Sequence, residues 1–256
     1  MTAPTRARHS GCLRTKLIEE GLRLGRHGGV TALGLREITR SVGVSANAAY
    51  RHFTDHDALL VAVAVEARTL LAQHIIDRID SDETHGDEAL RSVQRVLSFG
   101  LGYIEFALSE PGWLDLACYS QRASSEAVSV LAGGDPPLPP HQLLVAALDD
   151  MVTSGDLIDD HRPDAEWIIW SAIERVTELA TNGPLRRAHR SHLDHLARRV
   201  LDTTVRALTQ PSTPTPGRPP PKKNPPRKEV TTSGASTRLH SIPRSVPARG
   251  VPQCSV

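Results

Sequence analysis

Asn47, Tyr50, Arg51 and His52 stand close together in "VGVSANAAYRHF", Val42 to Phe53. Asn can bond adenine through two hydrogen bonds and Arg can bond guanine or a phosphate. The alanines beside them, Ala46 and Ala48, let a helix enter a major groove about 12 Å wide. This points to non-covalent reading of a duplex. Other clusters lead less far. His189, His192 and His195 in "HRSHLDH" recur every three residues on one helix flank, a spacing that could seat zinc, but no Cys accompanies them and a solvated flank explains them equally. Asp149 with Asp150, and Asp159 with Asp160, are chain neighbours and do not face each other on a helix. The chain has no G-x-S-x-G, no phosphate-cradling glycine loop with Lys and no H-E-x-x-H. Neither catalysis, cofactor nor resident metal is expected.

A helix of two turns is unstable alone, so other elements must hold it. Leu35, Ile38, Thr39 and Val42 fall at i, i+3, i+4, i+7 and give the preceding helix one buried stripe. Gly43 supplies the left-handed end that helices commonly require, Val44 turns inward, and Ser45 is a good N-cap for the second helix. Two helices joined by a short glycine-containing turn form a helix-turn-helix. The second helix then buries Ala49 and Phe53 and presents its other residues outward.

Before residue 211 the chain shows no sustained alternation of a strand type, and the predicted class is all-α with nine helices. They are placed near 11–28, 35–42, 46–52, 56–79, 87–109, 111–120, 141–154, 164–181 and 189–208, with a loop over 121–140. Eleven of the 19 prolines lie in the last 46 residues, and 211–256 is expected to be a disordered Pro-rich tail.

Charge is segregated along the chain. Residues 1–56 hold 9 Lys/Arg against 4 Asp/Glu, net +5; residues 57–210 hold 13 against 24, net −11; residues 211–256 hold 8 against 1, net +7. Their sum is the overall +1. A basic first module suits a polyanion, whereas the acidic body would repel one. The three scattered cysteines suggest no disulfide framework, and the longest apolar run, Ala58 to Val65, is far short of the ~20 residues that span a bilayer. A cytoplasmic protein without a membrane partner is expected.

"GLREITRSVGVSANAAYRHFTDHDALL", preceded by "LIEEGLRLGRHGG", resembles the DNA-binding domain of the TetR family of bacterial transcriptional regulators. Gly28, Ile38, Gly43, Val44, Ser45, Tyr50, His52, Phe53 and Leu59 fill the places of the family pattern. The resemblance implies a DNA-binding domain over 1–56, with its helix-turn-helix at 34–53, and an effector-binding and dimerisation domain over 57–210. It places Gly34, Ser45, Ala46, Asn47, Ala48, Tyr50, Arg51, His52 and His56 at the DNA. His52, repeated by the family beside Phe53, is read as positioning the backbone. Thr54 and Asp57 have capping-box spacing at the start of the next helix.

Three departures stand out. His56 occupies a place where the family usually has a phosphate-binding lysine. Gly34 lacks the hydroxyl commonly found at that cap, and Gly21 and Gly25 weaken the first helix by up to about 1 kcal/mol each relative to Ala.

"GYIEFALSEPGWLDLACY" resembles a regulatory domain of the same family. The resemblance implies an effector cavity, for which Tyr103, Phe106, Trp113, Tyr119, Trp167 and Trp170 are candidates, each also explicable as core. It further implies a homodimer through 164–181 and 189–208. Leu193, Leu196, Ala197, Val200, Leu201, Thr204 and Leu208 form a stripe wide enough for a core and a partner. The expected protein is a repressor released from a palindromic double-stranded operator by a small apolar or aromatic molecule. The alternatives are a ligand-independent or activating regulator, or a metal-responsive one using His189, His192 and His195.

Overall fold

The first helix, α1 (Thr5–Gly28), carries Leu17 fully buried and its charged residues mostly outward, and it ends in a single 3-10 turn, Gly29–Ala32. The computed structural model describes residues 5–83, 91–122 and 139–210. Most of the 121–140 loop and all of the 211–256 tail lie outside these residues. Among the described residues every regular element is helical. After α1 come α2 (Leu35–Val42), α3 (Ala46–Ala49), α4 (His56–Glu83), α5 (Arg91–Ser109), α6 (Pro111–Arg122), α7 (Pro140–Ser154), α8 (Ala165–Thr181) and α9 (Arg190–Thr209). The all-α expectation and the nine expected helices are met, with ends shifted by a few residues.

The shift that bears most on the site is in the short helix. α3 is one turn, Ala46–Ala49, and Tyr50 closes it; residues 50–52 continue as turn rather than helix. The next start is also corrected. The Asp55 carboxylate, not Thr54, accepts from the Ala58 amide at 2.7 Å and caps α4.

α4 is the central element. Leu59 through Val65, Leu71, Ala72, Ile75 and Ile79 are buried, and α1, α5, α6 and α7 all pack on it. It is also long and apolar enough to cross a membrane, with a mean hydropathy of 1.6 over its most apolar window. That qualifies the expectation drawn from the short Ala58–Val65 run, but here its apolar residues form a protein core. α5 takes α7, α8 and α9 on its remaining sides. Gly100 lies under Leu201 of α9, where a Cβ would come within 2.8 Å of both Leu201 methyls.

The first helix is joined to the body as well as to the helix-turn-helix. The Trp113 indole donates to the Leu22 carbonyl at 2.9 Å, the Arg26 guanidinium lies 5.0 Å above the same ring, and Arg26 Nε donates to Glu110 at 2.7 Å. Asp115 accepts from the Val30 amide at 2.9 Å. Residues up to Pro211 accordingly form one contact unit. Cys118, half-buried on α6, forms no disulfide.

Candidate DNA-binding face

The turn between α2 and α3 is built as its residues dictate. Gly43 sits at φ 77°, ψ 30°, its amide donating to the Arg40 carbonyl, while the Val44 amide donates to Thr39 at 2.9 Å. Nothing lies within 4 Å of a Cβ placed on Gly43, so its backbone angle and not crowding calls for glycine. Ser45 is extended, and its hydroxyl accepts from the Ala48 amide at 3.2 Å. Ile38 and Thr39 on α2 and Ala49 on α3 are buried, with Phe53 closing the cluster at 4% exposure. Arg14 of α1 covers the Phe53 ring at 5.3 Å.

With Ala49 and Phe53 inward, the rest of the segment faces out. Asn47 and Arg51 are exposed, Tyr50 is 49% exposed, and Ala46, Ala48 and His52 are half-buried. Gly34 is exposed and caps α2 without a side-chain hydrogen bond. His56 has a different setting. Its Nε2 lies 2.6 Å from the Leu33 carbonyl, to which it donates, so the ring ties the start of α4 to the residue preceding the cap of α2.

Residues 17–63 match the family model described as "Bacterial regulatory proteins, tetR family". The N-terminal module is a tetR-family module. The match runs from the buried Leu17 into the first turns of α4 and takes in the whole helix-turn-helix. Beyond this module, solved structures share the fold. A protein of unknown function from Rhodococcus sp. RHA1 superposes with a TM-score of 0.62 at 24% identity, covering 77% of this chain and 96% of its own. A tetR-family regulatory protein from Rhodococcus RHA1 gives 0.51 at 18% identity, covering 78% and 98%. The transcriptional regulator FadR from Bacillus subtilis, in complex with stearoyl-CoA, gives 0.52 at 15% identity, covering 75% and 97%. A comparison with curated proteins returns no match.

The six aromatic residues expected around an effector lie on α5, α6 and α8. Tyr103 and Phe106 are core, at 1% and 4% exposure. Trp113 stacks on Phe106 with centroids 6.4 Å apart while its N–H serves the Leu22 carbonyl of α1. Trp170 meets Tyr103 edge-on at 5.4 Å, Tyr119 is half-buried against the core, and Trp167 is 53% exposed, resting on His141 at 4.9 Å. Burial pushes the Tyr103 hydroxyl far above its usual range, helped by neighbouring Cys118 and Glu174, and the hydroxyl donates to the Glu174 carboxylate at 2.7 Å.

A cleft of ≈ 270 Å³ opens elsewhere, lined by Arg91, Ser92, Arg95, Asp150, Thr153, Ser154 and Asp156, and none of the six aromatics borders it. Among the described residues three buried side-chain polar atoms have no hydrogen-bond partner: Oγ1 of Thr177 on α8 and two that sequence reasoning passed over, Nε2 of His74 on α4 and Nε2 of His141 on α7. Period and composition gave no signal for the two histidines, because each lies on a flank where a histidine reads as surface.

The metal-responsive alternative is corrected. Among the described residues no group of three His, Cys, Asp or Glu side chains is placed to hold an ion. His189 lies outside the helix as the N-cap of α9, where Nδ1 accepts from the Ser191 amide and hydroxyl. It is therefore out of line with His192 and His195.

Proposed function

We propose that this chain is a DNA-binding transcriptional regulator that works as a homodimer and represses until a small molecule releases it. The observation that carries the reading is the exposed set Asn47, on a one-turn helix held by Ser45 and Gly43, and Tyr50 and Arg51, in the turn that follows it, inside the segment that matches the tetR-family module. Ala46 and Ala48 give the helix access, Asn47 and Arg51 read base edges, and Tyr50 bonds phosphate. Gly34, Ser45 and His52 lie at the rim of the same face and position the backbone against the duplex. His56 positions α4.

A partner is supported by Trp167 and Ile168, 53% and 47% exposed on the outer side of α8. The α9 stripe is mostly absorbed by the protein's own core, leaving Leu196, Val200 and Thr204 half-buried for a second copy. For the effector, the long-chain ligand of Bacillus subtilis FadR indicates that a body of this architecture can admit an apolar molecule. The aromatic candidates would have to part to receive one here, beside His74, whose ring lies 5.7 Å from that of Phe106 and whose Nε2 has no partner. A ligand better accommodated when α4 is displaced would separate the two heads by differential affinity.

Selection from random duplex DNA tests the core of this reading. An inverted repeat with half-sites about 34 Å apart is expected for such a dimer. Enrichment of no sequence would refute it.

A further inference from the structure

Trp170, Glu174 and Thr177 share one stripe of α8, at i, i+4 and i+7. Both polar members are short of partners. Glu174 is half-buried and accepts a hydrogen bond from the Tyr103 hydroxyl at 2.7 Å, but among the described residues no cation pairs with it. The other half-buried glutamates of these residues, Glu20, Glu83, Glu105, Glu110 and Glu166, each hold an arginine. Arg175, the nearest cation along the chain, is exposed, and a chain neighbour on a helix does not share a face with Glu174.

Thr177 is 4% exposed, and its hydroxyl has no partner at all. A helical threonine ordinarily returns its hydroxyl to a carbonyl of the preceding turn. Thr69, Thr153, Thr181, Thr203 and Thr204 all do so here, each to the residue four earlier. Thr177 thus leaves a buried oxygen unused one turn from a carboxylate that lacks a counter-charge. Aromatic rings stand on the Trp170 side of the pair. Tyr103 meets Trp170 edge-on at 5.4 Å, and Phe99 lies 6.4 Å from the same indole.

The unmet demand has one sign. A neutral guest would leave the carboxylate without a counter-charge, and an anion would meet like charge. A primary ammonium brings a positive charge and three N–H donors, and aromatic faces attract cations. Resting on the reading of the body as an effector site, we propose that the effector is an organic cation, an amine carried on an apolar or aromatic body. Its ammonium bonds Glu174 and Thr177, and its body parts the rings around Tyr103 and Trp170. Trp170 and Glu174, both half-buried, form the side that solvent reaches, and the buried Thr177 is the inner end.

The test uses the full-length protein and four probes of one shape: 4-phenylbutylamine, its N,N,N-trimethyl derivative, 4-phenylbutanol and 4-phenylbutyrate. Affinity is measured by calorimetry, and melting temperature with and without each probe. The two cations should bind at least tenfold more tightly than the alcohol and the acid, and should raise the melting temperature. Glu174→Gln should weaken both cations at least tenfold and abolish their advantage over the alcohol. Thr177→Val should weaken the primary amine severalfold and leave the trimethyl derivative, which has no N–H to donate, unchanged. Melting curves of the free variants show whether they fold; should Glu174→Gln not fold, the ranking of the four probes and Thr177→Val decide. The proposal is overturned if the probes bind alike or not at all, or if a folded Glu174→Gln keeps the affinity for the amine. Release of a selected duplex is read separately. Cation-selective binding without release supports the site and refutes the release mechanism, whereas release by the alcohol alone refutes the cation and leaves that mechanism standing.

Discussion

A single atom added at Gly112 would lie 2.3 Å from the carbonyl oxygens of both Gly25 and Arg26. The obstacle is backbone, which cannot rotate aside as a side chain would. Gly112→Ala is expected to cost about 3 kcal/mol, the upper end for overpacking, read as a fall in the denaturant midpoint. Gly21 obeys the same logic more mildly, since its added Cβ would meet a stiff Val63 methyl at 2.5 Å. Gly21→Ala should therefore destabilise, although helix propensity alone predicts a gain of nearly 1 kcal/mol. Unchanged or higher stability would show that α1 can move off α4. Here the sequence was legible only in part. Gly21 and Gly25 stand out as poor helix formers, but the reason for them is their neighbours, Val63 and Leu116, which lie far along the chain. Asn47 and Arg51 were legible because local spacing alone sets which residues a short helix leaves outward.

At the scale of elements, the turn into α3 depends on one hydroxyl. Ser45→Ala removes the acceptor for the Ala48 amide and should cost about 1 kcal/mol. Because α3 has a single turn, that loss should also appear as faster amide exchange over 46–49. The joint between α4 and α5 responds to acid. Burial disfavours the Asp82 carboxylate, but the Ser98 hydroxyl at 2.6 Å and the Arg78 guanidinium at 2.8 Å outweigh it and hold its pKa below the ordinary value. A depressed carboxylate stabilises the fold above its unfolded pKa of about 4 and loses that contribution as pH falls through the folded value. Melting temperature should thus drop below about pH 4, and Asp82→Asn should flatten that limb. Helix positions were readable because apolar periodicity is local. The α4 cap was misread because Thr54 and Asp55 are both competent caps, and only the path of the chain decides between them.

At the scale of the whole molecule, the proposed dimer draws its support from the exposed Trp167 and Ile168. Replacing both by Glu should give a monomer by light scattering and weaken operator binding by at least tenfold, since each head would then bind alone. Retention of a dimer would place the interface elsewhere. The class of fold was readable from composition and period, whereas a proposed effector site was not. An aromatic stripe on a helix specifies burial without distinguishing a packed core from a space that opens for a ligand, and Trp113 illustrates the difficulty by serving Phe106 and the Leu22 carbonyl together.

The bonds that tie α1 and the turn after it to α6 and the residue before it also bear on how the protein is made. Val30 and Asp115 are 85 residues apart, and Arg26 and Glu110 are 84 apart. At roughly 5–20 residues per second of synthesis, the first helix waits several seconds for its seat. Through that interval the nascent reading head holds Leu22, Gly25 and Arg26 without the partners that fix them, and it becomes a finished binding unit only when α6 has been made. A nascent chain stalled before Pro111 should accordingly present a head that proteases cut readily, while one stalled beyond the end of α6 should resist.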